Sequence, residues 1–84
     1  MANGVPGDEG RRERRVTVAR VRERADYAEA TFYESARFYR LPRANPGYDE
    51  ALQRLRAAAA NGARLRVRFL APNSDIIEAV NSGN

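Results

Sequence analysis

Cysteine, histidine, lysine and tryptophan are all missing from this sequence of 84 residues. Without cysteine there is no disulfide, no thiol nucleophile and no thiolate ligand; without histidine there is no imidazole base and no Cys/His metal site. Acid–base chemistry would fall to carboxylates or tyrosines with displaced pKa values, and these lie scattered along the chain. Asp49 and Glu50 are neighbours whose side chains diverge on a helix, and both suit its positive first turn. No Gly-rich phosphate loop and no serine nucleophile motif is present. The expectation is a protein that is not an enzyme and that uses no cofactor and no metal.

Long apolar runs are also lacking: nothing approaches the ~20 residues that a membrane span needs. The opening residues, from Met1 to Gly10, do not have the charged-then-apolar build of a secretion signal. A soluble cytoplasmic protein without a membrane partner is expected.

What is abundant is arginine. All fifteen basic residues are arginine, set against eleven carboxylates, for a net charge of +4. Arginine's planar fork suits phosphate and stacking contacts. The fifteen alanines point equally to the codon bias of a GC-rich, bacterial-like genome, so the choice of arginine over lysine says little about function.

Residues 1–15 are polar and charged and read as a flexible basic N-terminal arm, and residues 81–84 as a flexible tail. Residues 16–80 remain as a single α+β domain, whose large apolar side chains fill one small core. Val16 to Arg24 alternates apolar with polar, but Val16 and Val18 differ in parity from Val21. One extra residue near Ala19 therefore predicts a β-bulge. Tyr27–Tyr33 and Arg37–Leu41 read as two strands with a tight turn at Glu34-Ser35. A rival reading makes residues 26–40 a helix, because Asp26 and Glu29 resemble a capping box and Ala28, Phe32, Ser35 and Tyr39 recur at helical spacing. The crowding of Thr, Phe and Tyr favours strands.

A helix of about four turns follows, with Asn45 as cap, Pro46 at its first position and Tyr48, Leu52, Leu55 and Ala59 as its apolar stripe. Gly62 supplies the left-handed end. Arg64–Leu70 is an alternating strand, and Ile76–Val80 a last strand hairpinned to it. The order β-β-β-α-β-β is that of a small five-stranded antiparallel sheet or OB-like barrel with one helix. The alternative is a small helical bundle with a C-terminal hairpin.

Two arginine rows, Arg20, Arg22, Arg24 and Arg64, Arg66, Arg68, stand at every second position and span about 13 Å of strand each. With Tyr33 and Tyr39 facing outward, they would pair phosphate contacts with stacking platforms. These eight residues are the expected site of a non-catalytic nucleic-acid-binding module for single strands or RNA. The competing explanation is a solvated face, in which Glu23, Glu29 and Glu78 pair with arginines. The alternative function is a protein–protein interaction or self-assembling homo-oligomeric domain, since arginine and tyrosine are also common at interface hot spots.

Overall fold

The computed structural model describes residues 12–82. Residues 1–11 of the arm expected over residues 1–15, and the last two residues, lie outside the described residues. In chain order the elements are β1 (Glu13–Glu23), β2 (Tyr27–Phe32), β3 (Phe38–Pro42), α1 (Tyr48–Asn61), β4 (Arg64–Phe69) and β5 (Ile77–Ser82). This is the small α+β domain read from the sequence, in the expected order. Residues 26–40 form two strands and their connection; the helical-bundle alternative is not favoured.

All strand pairs of the sheet are antiparallel, in the order β3-β2-β1-β4-β5. The sheet curls until its two edges meet: Arg40 of β3 and Ile76, just ahead of β5, form a parallel bridge. The Arg40 N–H donates to the Asp75 carbonyl at 2.8 Å. The bend is made in β1. Its register slips between Val18 and Arg20, so the first half of the strand pairs with β4 and the second half with β2. This is the bulge that the change of parity at Ala19 predicts.

Strand ends depart from the sequence reading. β1 begins at Glu13 rather than Val16, because Glu13, Arg14 and Arg15 pair with Arg68, Val67 and Arg66. β5 begins at Ile77 and runs on to Ser82 because Asn81 and Ser82 continue the ladder with Arg66 and Leu65. Backbone pairing thus recruits residues whose side chains give no strand signal. Arg37 belongs to the β2–β3 connection, not to β3.

No charged residue is buried among those described, and the only polar groups that core side chains carry are the hydroxyls of Tyr39 and Tyr48. Phe32 and Phe69 each pack on Tyr39 through tilted ring contacts, with centroids 5.1 Å apart in both. Small inward residues on β2, Ala28 and Ala30, are fully buried and offset these rings, an alternation of small and large that lets side chains fill the inside of the curled sheet. α1 closes one end with Tyr48, Ala51, Leu55 and Ala58 buried; Leu52 and Ala59, expected in its stripe, are only partly buried against the core.

The helix begins at Tyr48 with Gly47 as its N-cap, and no side chain caps it. Asn45 instead closes a turn, its Oδ1 accepting the Gly47 N–H at 2.8 Å. Its Nδ2 donates to the Glu78 carbonyl at 2.8 Å, and Arg54 Nη1 donates to the Val80 carbonyl at 2.9 Å. Carbonyls on the outer edge of β5 are thereby occupied by side chains from around and within α1, which removes a template for edge pairing. Gly62 ends the helix in the left-handed region (φ 72°) and returns its N–H to the Ala58 carbonyl at 2.8 Å.

Candidate functional site

Strand parity decides which side chains face out. On β1 the bulge turns Arg20 and Arg22 outward, and the register lines them up with neighbours on β2 and β3. One cross-strand row reads Arg20, Thr31, Phe38; the next reads Arg22, Glu29, Arg40. Arg24, just beyond the end of β1, is held at 3.5 Å from Glu29. These side chains line an open groove of about 300 Å³ on the outer face of β1–β3, bounded by Arg20, Arg22, Arg24, Glu29, Thr31 and Phe38. Phe38 is 64% exposed, a large apolar ring left on the surface in a groove that three arginines also line.

The second row, Arg64, Arg66 and Arg68, also faces outward, but beside the other half of β1. Its cross-strand neighbours there are Thr17, Arg15 and Glu13. The bulge separates the two rows onto different parts of the curled sheet, so they do not combine into one ladder. No exposed large apolar side chain stands in the second row.

Of the two tyrosines expected to stack, Tyr39 lies in the core at 2% exposure. Its hydroxyl shares a 3.0 Å hydrogen bond with the Ser35 Oγ. Arg40 must point to solvent, which sets Phe38 on its side of β3 and Tyr39 and Leu41 on the other. Tyr33 is exposed, but it follows β2 and lies outside the groove. Phe38 is the aromatic residue that sequence reasoning missed, and the parity of Arg40 was the signal that would have found it.

The carboxylates largely answer arginines away from the two rows. Glu23 bridges Arg43 and Arg56, Glu78 pairs with Arg12, Asp75 with Arg37, and Glu50 with Arg54. Arg56 thus ties α1 to the end of β1, and Arg54 ties it to β5. Among the described residues Arg20, Arg22, Arg64, Arg66 and Arg68 have no ion-pair partner. Cation–π contacts hold four others: Arg14 over Phe69, Arg37 over Tyr39, Arg40 over Tyr27 and Arg43 over Tyr48, at 5.2–5.6 Å from the ring centroids.

Glu34 was also missed. Burial pushes its carboxyl up, but the hydrogen bonds from the Thr17 N–H and hydroxyl outweigh this, aided by its own N–H and the charge of Arg64. The net position is below the ordinary glutamate value. Among the described residues no group of three or more potential ligands is placed to hold a metal ion, and no helix is long and apolar enough to cross a membrane.

No protein-family model matches the chain. No curated protein matches it. Its fold does recur in solved structures. A crystal structure of pro-protein-glutaminase superposes with a TM-score of 0.73 at 24% identity, over 83% of this chain and 24% of that one. A mutant of pro-protein-glutaminase gives the same TM-score and coverage at 20% identity. The chain therefore spans about a quarter of the length of these neighbours, and at such identity the likeness shows the fold. It also overturns two expectations. A non-catalytic nucleic-acid-binding module is not what this fold resembles, and the expectation of no enzyme, drawn from the missing histidine and cysteine, is overturned: both neighbours are structures of pro-protein-glutaminase, an enzyme.

Proposed function

We propose that the chain is a domain of an enzyme of the protein-glutaminase kind, corresponding to the pro portion that accompanies the catalytic portion in the precursor. The observation that carries the kinship with that enzyme is the match at a TM-score of 0.73 over 83% of the chain, and the pro portion is the reading proposed for the matched quarter. Two further features support it. The sequence holds neither thiol nor imidazole, so nucleophilic chemistry of those kinds would come from elsewhere in such an enzyme. The partial closure of the sheet, read as an OB-like barrel, leaves its outer face free for a protein partner. A pro portion acts by covering its catalytic partner until it is removed.

The experiment is to add the purified chain to a mature protein-glutaminase and to follow ammonia release from a protein substrate. Dose-dependent loss of activity, with a rise in the melting temperature of the mixture, is expected because a ligand of the native state stabilises it. Unchanged activity and melting temperature would count against the proposal. Ammonia release by the chain alone would place it in the catalytic portion instead.

A further inference from the structure

The groove on the outer face of β1–β3 combines three properties that no other described part of the surface shares. Among the described residues Arg20 and Arg22 form no ion pair within 4 Å. Phe38 stands 64% exposed in the same cross-strand row as Arg20. The space between them is a concave groove of about 300 Å³ that Thr31 also lines. We infer that this groove docks a short acidic segment of the catalytic portion, with carboxylates on Arg20 and Arg22 and an apolar side chain against Phe38. The inference rests on the reading of the chain as a pro portion.

Charge complementarity selects the occupant. The groove is not uniformly positive, because the Glu29 carboxylate stands between Arg22 and Arg40 in register and is held by Arg24. A continuous phosphate ladder laid across it would meet that carboxylate. A peptide can place single carboxylates on Arg20 and Arg22 and put an uncharged side chain elsewhere. Stacking of successive bases also needs several aromatic platforms, whereas Tyr39 is buried and Phe38 is the groove's one ring. An arginine pair beside an exposed aromatic ring is the composition of a protein–protein contact.

The test is an NMR titration of the full chain with two probes, a short peptide alternating glutamate with leucine and a thymidine oligonucleotide of matched charge. Peptide binding is expected to shift the amides of Arg20, Arg22, Thr31 and Phe38. The variants R22Q and F38S are each expected to weaken it about tenfold, while R66Q stays within about twofold. The spectrum of each variant reports whether it is folded. Shifts centred on Arg64–Arg68, equal weakening by R66Q, or tighter binding of the oligonucleotide would overturn the inference. If R22Q and F38S still inhibit a mature protein-glutaminase like the native chain, the docking site is wrong and the pro-portion reading stands. If the native chain does not inhibit, it is that reading which fails.

Discussion

The Glu34 carboxylate accepts both the N–H and the hydroxyl of Thr17, each at 2.8 Å. Thr17 lies just before the bulge of β1, and its carbonyl accepts the Tyr33 N–H at 3.0 Å. The side chain of the β2–β3 connection thus takes over backbone pairing where the ladder is interrupted, with Arg64 across the strand favouring the ionised carboxylate.

Removing this contact sets the first prediction. E34A should cost ~0.5–1.5 kcal/mol at neutral pH, a charged hydrogen bond discounted for solvent exposure. The sign with pH follows from the lowered pKa. A carboxyl held below its unfolded value stabilises the fold above about pH 4.3, and that contribution fades as pH falls through the folded value. Urea denaturation of native and E34A proteins should therefore show a gap at pH 7 that narrows as the pH is lowered below the ordinary glutamate value. A gap that widens in acid would contradict the assignment.

Gly62 gives a second test, because space and conformation can be told apart there. A Cβ added at this position meets nothing within 4 Å, yet φ is +72°. G62A should therefore cost ~1–2 kcal/mol from backbone strain alone, and G62N less, since asparagine tolerates the left-handed region. Equal losses for both variants in chemical denaturation would point to another cause.

The third prediction concerns the outer edge of β5. N45A and R54M each remove one donor from a β5 carbonyl, and a single such hydrogen bond contributes about 1 kcal/mol. The double variant should lose roughly the sum, exchange amide protons of β5 faster, and associate through the uncovered edge at high concentration. Light scattering and hydrogen exchange measure both effects. Unaltered exchange in β5 would mean that packing of α1, rather than these two side chains, protects the edge.

Much of the architecture was legible because it follows from local pattern. The β4 alternation, the Gly62 terminus and the parity break at Ala19 each reflect a single physical constraint that a short window contains. Strand ends were not legible: Glu13–Arg15 and Asn81–Ser82 enter the sheet because a partner strand is present, not because of their side chains. The site was harder still. Ala28, Ala30, Ala51 and Ala58 are core residues whose small size conceals their burial in a sequence. Phe38 and Tyr39 are adjacent aromatics of opposite parity, so one had to face out, and Arg40 was the residue that could decide between them. That the two arginine rows part at the bulge depends on the curl of the whole sheet.

Tyr39 and Tyr48 provide the last prediction, because the same substitution should act in opposite directions. Both are core residues, at 2% and 6% exposure. The Tyr39 hydroxyl is hydrogen-bonded to Ser35, whereas the Tyr48 hydroxyl is buried without a partner among the described residues. Removing a satisfied hydroxyl loses a hydrogen bond and removing an orphaned one relieves a desolvation penalty. Y39F should therefore destabilise by ~0.5–1.5 kcal/mol, while Y48F should be neutral or stabilise by up to about 1 kcal/mol. Both rings keep their packing in phenylalanine, so cavity terms do not intervene. Thermal and urea denaturation of the two variants side by side checks the contrast. A destabilised Y48F would mean that its hydroxyl is satisfied in solution.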